Sequence, residues 1–232
     1  MKRAAFCLVA MLPLTFMLAK RPPLPLTAAF DSNKSGDRPL GLSPNTLLAL
    51  LSVAGVACCV AMSMPQVHLV AYCSDLGYGP ARGAQMLSLM LACGIVSRLA
   101  FGLICDRIGG LRTLLIGSCL QGVALLLFLS FDGLRSLYVI SAMFGLFQGG
   151  IVPSYAIIVR EYFPSAEAGT RVAAVITATL FGMALGGWMS GAIFDVMGSY
   201  HAAFLNGILW NLVNVSIAVW LLRQATFQPA RA

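Results

Sequence analysis

The chain has 232 residues, of which 59% are hydrophobic and only 10% charged, whereas soluble domains carry about 25% charged residues. With a mean hydropathy of +0.87, that composition excludes an ordinary water-soluble domain and makes a lipid bilayer the expected solvent. The net charge of +7 points to no nucleic acid, because the basic residues collect in short connectors between apolar runs, which is the footprint of membrane topology.

The first apolar stretch, Ala4 to Ala19, is broken by Pro13 and bracketed by Lys2-Arg3 and Lys20-Arg21. A basic start, an apolar middle and a small residue at its end fit a signal peptide; a short spanning helix fits as well, and charge counting favours the helix. With an outside N-terminus, ten basic residues fall on the inner side (Lys20, Arg21, Lys34, Arg38, Arg107, Arg112, Arg160, Arg171, Arg223 and Arg231) against four outside (Lys2, Arg3, Arg82 and Arg135). That bias follows the positive-inside rule. The connector to Pro44 is rich in proline and polar residues and reads as a cytoplasmic linker.

Six longer apolar segments follow, at about Leu47 to Tyr72, Ala81 to Cys105, Thr113 to Phe131, Leu137 to Tyr162, Val172 to Phe194 and Ala202 to Leu222. Each has roughly the 20 residues that cross a bilayer. Short links such as Gly77-Tyr78-Gly79-Pro80, Asp132-Gly133 and Phe163-Pro164-Ser165 force neighbouring segments antiparallel. The predicted fold is therefore an all-α membrane protein, a six-helix transmembrane bundle with one short helix before it. The predicted division is a helix over 1–19, a linker over 20–44, the bundle over 45–222 and a cytoplasmic tail over 223–232, in a multi-pass protein of the cell (inner) membrane.

Arg98 is the most informative residue. It follows the apolar run ending at Val96, with Gly94, Gly102 and Asp106 at four-residue intervals on the same helix face. A charge in mid-membrane costs roughly 2.5 to 3.5 kcal/mol on insertion scales, so such residues face a bundle interior or a water-filled path. Arg98 lies seven residues before Cys105, so its backbone is roughly 10 Å inside the helix end. Its side chain leans toward the outer end, which works against snorkelling to the inner surface. The expected role is an anion site in a membrane transporter; the structural alternative is a partner such as Asp106 or a backbone carbonyl.

The run Gly102-Leu103-Ile104-Cys105-Asp106-Arg107-Ile108-Gly109-Gly110-Leu111-Arg112 closes that helix. It resembles the signature loop of the major facilitator superfamily, G-x-L-a-D-r-x-G-r-k, with Gly102, Asp106, Arg107 and Gly109 on the pattern. Gly110 stands where a basic residue is usual, and Arg112 supplies the charge later. In physical terms Gly102 permits close helix approach, Asp106 can cap or pair at the neighbouring helix end, and the arginines hold the loop at an anionic surface. The resemblance implies a gating loop.

From about Leu47 to Leu222 the chain resembles the carboxyl-terminal six helices of that superfamily. Ser97-Arg98-Leu99, Arg160-Glu161-Tyr162-Phe163-Pro164 and Gly191-Ala192-Ile193-Phe194-Asp195 look like its monocarboxylate and oxalate/formate antiporter branch. That resemblance implies that Arg98 meets a substrate carboxylate. It departs from the branch at Gly94, where an aspartate is frequent, and in a fifth long helix that has no lysine. Two six-helix halves are usual in the superfamily, so the implied partners are a small organic anion, the lipid bilayer and a complementary six-helix half or second copy.

The fourth segment faces the cavity in the resembled family, so Gln148 and Tyr155 are candidate hydrogen-bond donors there, with helix-to-helix bonding the alternative. Gly182, Gly186, Gly187 and Gly191 form overlapping G-x-x-x-G spacings suited to close backbone packing. His68 and Gln66, after Pro65, read as polar residues near the outer interface, and Asn211 and Asn214 as packing. The seven cysteines lie mostly within apolar segments with no C-x-x-C pair, and no H-E-x-x-H or Ser/His constellation appears. No metal, cofactor or enzyme activity is expected. The functional alternatives are a secondary transporter of small organic anions and a non-transporting membrane assembly subunit.

Overall fold

The computed structural model describes residues 39–227. The expected helix at 1–19, most of the linker and residues 228–232 lie outside them. A 3-10 turn at Pro39–Gly41 leads into seven helices: α1 Pro44–Asp75, α2 Pro80–Ile108, α3 Gly110–Ser130, α4 Leu134–Gln148, α5 Ile151–Tyr162, α6 Ser165–Met197 and α7 Tyr200–Phe227. With α4 and α5 taken together they give six helices long and apolar enough to cross a membrane.

Most helices begin earlier than hydropathy alone predicts, because polar and conformational signals extend them beyond the apolar core. α1 starts where Ser43 Oγ accepts the Thr46 amide at 3.2 Å and Pro44 occupies the first turn, a position that tolerates the missing amide hydrogen. α6 starts at Ser165, not Val172; Glu167 and Arg171 support its first turns through a 2.7 Å ion pair. α7 runs through Arg223 to Phe227, beyond the apolar limit at Leu222.

The hub is α1, which packs against α6, α7 and α2. Its tightest neighbour is α6. An added Cβ at Gly182 would lie 2.6 Å from the Val56 carbonyl oxygen, and one at Gly186 would lie 2.6 Å from Val60 Cα. The expected glycine packing is therefore present, and it lets two backbones approach where lipid supplies no hydrophobic drive. Polar bonds reinforce the bundle: Asn214 Nδ2 donates to Ser118 Oγ at 2.8 Å and Asn211 Nδ2 donates to the Ser118 carbonyl at 3.1 Å, both tying α7 to α3. At the far end, Tyr72 donates to an Asp132 carboxylate oxygen at 2.5 Å and Tyr78 to the Asp132 carbonyl at 3.1 Å.

The fourth span is two helices, not one, broken at Gly149-Gly150. Consecutive glycines have poor helix propensity, and Pro153 follows within the first turn of α5. Tertiary packing also demands the glycines. A Cβ on Gly149 would lie 2.5 Å from the Gly94 carbonyl oxygen and 2.7 Å from Ser97 Cβ, while one on Gly150 would strike the Phe101 ring.

α2 buries one narrow stripe, Gly83, Met86, Met90, Gly94, Ser97, Phe101 and Cys105, spaced three or four residues apart. The rest of the helix is largely exposed, whereas α6 buries Val175, Thr179, Gly182, Gly186 and Ser190 and leaves its other residues exposed or half-buried.

The 21 residues of α3 rise about 1.5 Å each, close to the bilayer's apolar thickness of about 30 Å. Arg112 and Asp132 should therefore face opposite sides. Single cysteines introduced as Arg112→Cys and Asp132→Cys in a background without other cysteines should be labelled by an impermeant maleimide from opposite faces of sealed vesicles. Labelling from one face would overturn the six-span arrangement.

Candidate functional site

Arg98 sits on the open side of α2, beside the buried stripe. Ser97, one residue earlier, is 1% exposed against the α4–α5 break, whereas Arg98 is exposed together with Ile95 and Leu99 at 64% and 72%. No hydrogen bond or ion pair holds Arg98 among the described residues; the ion pair they contain is Arg171 with Glu167. The expected structural alternative, a partner in Asp106 or a backbone carbonyl, is thus not found among the described residues. One turn further along, Gly102 has nothing within 4 Å of a would-be Cβ. The close approach expected of Gly102 occurs instead at Gly94, Gly145 and Gly149.

The two other candidates part company. Gln148 is 5% exposed, and its Oε1 accepts a 2.7 Å bond from Gln66 Nε2, joining α1 to the end of α4. Because Gly149 presses on Ser97, this amide pair lies next to the segment of α4 that meets the turn of α2 carrying Arg98. The Ser97 hydroxyl there is buried without a partner. Tyr155 is fully buried, and its hydroxyl donates to Asn214 Oδ1 at 2.8 Å. It bonds helix to helix, α5 to α7, and the structure does not bring it to the open face of α2. Gln66 is the polar residue that sequence reasoning left at the interface. Its signal was present in an amide just after Pro65 within a long apolar helix. His68 Nε2 lies 3.0 Å from the Gly187 carbonyl, another α1–α6 tie.

The loop between α2 and α3 is built on two glycines with different duties. Gly109 has φ 82, a left-handed conformation that side chains resist, and its amide closes α2 on the Cys105 carbonyl at 2.8 Å. Gly110 opens α3, and its amide donates to both carboxylate oxygens of Glu161, at 3.0 and 3.2 Å. A Cβ on Gly110 would lie 2.6 Å from Ile158 Cγ1 and 3.1 Å from Glu161 Oε2, so the basic residue that the family pattern places here would force the Ile158 side chain to shift. The cap expected of Asp106 therefore comes from Glu161 at the end of α5. Asp106 is exposed, with no hydrogen bond or ion pair among the described residues, and Arg107 and Arg112 are exposed too. A cavity of about 220 Å³ lies between this loop, Tyr162, Leu222 and Thr226.

A carboxylate at a helix N-terminus is stabilised by the amide and the helix dipole by about 0.3 to 1 kcal/mol. Glu161→Gln should accordingly lower the thermal unfolding midpoint in detergent, while Asp106→Asn leaves it unchanged. Equal shifts for both would show that Glu161 is not the cap.

The architecture is that of a multi-pass membrane bundle with Arg98 unpaired among the described residues on the open face of α2 and a glycine-rich loop at one end. Residues 49–232 match the family model of the Major Facilitator Superfamily, and the chain belongs to this family of membrane transporters. Over 144 residues, 61% of the chain, it is 31% identical to monocarboxylate transporter 13 of Rattus norvegicus and covers 34% of that protein. The Bos taurus protein of the same name is 30% identical over the same length. Agnestins efflux protein AgnL12 of Paecilomyces divaricatus is 20% identical over 223 residues, 96% of the chain and 50% of that protein. The chain thus spans between 34% and 50% of the length of these relatives. The resemblance read from the Gly102–Arg112 loop and its flanking motifs is borne out, as is the six-helix membrane fold.

Proposed function

We propose that this chain is half of a secondary transporter for a small organic anion of monocarboxylate type. The observation that carries the reading is Arg98: a cation in the membrane-spanning part of α2, exposed beside Ile95 and Leu99, and paired with nothing among the described residues. Its guanidinium offers a planar fork for two parallel bonds to a carboxylate. A complementary six-helix half, or a second copy, would cover the open faces of α2 and α6, leaving Arg98 in a central cavity. Transport then proceeds by alternating access, as one half rocks against the other. Gln148 and Gln66 would shape the wall near Arg98, and the Gly102, Asp106, Arg107, Gly109 and Arg112 loop would act as a gate at one membrane face. A relative named as a monocarboxylate transporter is in line with the anion reading, and one named as an efflux protein supports transport in general. The multi-pass fold and the basic residues of the inner connectors support a plasma-membrane location with a cytoplasmic C-terminus.

Uptake of a labelled carboxylate panel into proteoliposomes, with this chain alone and with a complementary half, tests the proposal. Saturable uptake that requires Arg98 is the expected result. Stable assembly with the complementary half and no uptake of any carboxylate would favour the assembly-subunit reading instead.

A further inference from the structure

At the end of the bundle opposite the Gly102–Arg112 loop, the end of α3 and the start of α4 line a groove of about 400 Å³ open to the surroundings. Its walls are apolar: Leu127 from α3 and Phe131 just past its end, Val139 and Met143 from α4, with Phe131 and Val139 half exposed or more. Its mouth carries Arg135 and Ser136. Arg135 forms no ion pair among the described residues. The nearest acid in sequence, Asp132, is engaged by the Tyr72 and Tyr78 hydroxyls through its carboxylate and its carbonyl. Arg135 also lies in the first turn of α4, where no acidic residue accompanies it and the helix dipole disfavours a cation.

A groove that is apolar along its length and cationic only at its membrane-surface end matches one kind of molecule. We infer that it holds an acidic phospholipid, with the phosphate at Arg135 and Ser136 and one acyl chain along Val139 and Met143. The charge complementarity selects an anionic headgroup, and the depth of the apolar wall selects an acyl chain over a water-soluble anion.

The test uses the purified full chain in mixed micelles with phosphatidylglycerol carrying a diazirine on its acyl chain, and with the matching phosphatidylcholine. Photolabelling should concentrate on the peptide containing Val139 and Met143 and should favour phosphatidylglycerol. Arg135→Gln should reduce the phosphatidylglycerol label roughly five-fold, the factor expected for one basic residue near an anionic surface, while Arg82→Gln, at the same end of the bundle on α2, leaves it unchanged. Met143→Trp, which fills the groove, should lower labelling by both lipids. Equal labelling by the two lipids in the wild type, an undiminished signal in Arg135→Gln, or an undiminished signal in Met143→Trp would each overturn the inference.

Discussion

In any assembly where transport is measurable, Arg98→Ala should lower carboxylate affinity by more than tenfold, with Arg98→Lys falling between it and the wild type. Removing one member of a buried, hydrogen-bonded charge pair typically costs about 2 to 5 kcal/mol, and tenfold corresponds to about 1.4 kcal/mol. Lysine keeps the charge but gives up the two-pronged geometry, so it isolates the contribution of the guanidinium fork. Both variants should still insert, because Arg98→Ala removes an intramembrane charge and lowers the insertion cost, while Arg98→Lys leaves that cost about where it was. Competition binding with a labelled carboxylate is the direct readout; equal affinities for wild type and Arg98→Ala would leave Arg98 without an anion-binding role.

A comparably large effect is expected at Gly145, but on stability. A Cβ there would strike the Met90 carbonyl and crowd Cys93 Cβ at 3.0 Å, so α4 could approach α2 only by moving its backbone. Overpacking of this kind costs about 1 to 3 kcal/mol. Gly145→Val should therefore abolish the monodisperse peak in detergent size exclusion, and Gly145→Ala should lower the unfolding midpoint. Gly102→Ala, made where the chain leaves open space, should leave the isolated chain as stable as before. Destabilisation by Gly102→Ala equal to that of Gly145→Ala would contradict the α2–α4 crossing described here.

The membrane spans were legible because each depends on a sum over some 20 residues, and no single misreading changes that sum. The same averaging hid the α4–α5 break. Phe147, Ile151 and Val152 keep the hydropathy high on either side of Gly149-Gly150, and the press of Ser97 and Phe101 against those glycines is a tertiary fact. Arg98 stood out because a charge among apolar residues is conspicuous at any range. Local spacing could nominate Asp106 as the cap because it stood nearby, but the carboxylate that reaches Gly110 is 51 residues away in sequence. Tyr155 shows the same limit. Its position on the fourth span was readable, whereas the Asn214 side-chain amide oxygen that accepts from its hydroxyl lies on another helix. A helical period gives the face on which a residue lies, without the neighbour that face will meet.

The central position of α1 has a consequence for the order in which the protein can be made. α1 is the first of the six spans to leave the ribosome, yet its close partners come near the end of the chain: Val56 waits for Gly182, Val60 for Gly186, and His68 for the Gly187 carbonyl 119 residues later. Until α6 is synthesised, the imidazole of His68 must stay at the interface or borrow a temporary partner, since lipid offers none. Nascent chains that stop before Ser165 would therefore display an unfinished α1 to membrane quality control. α6 is the element that covers the face of α1 presented by Val56, Val60 and His68.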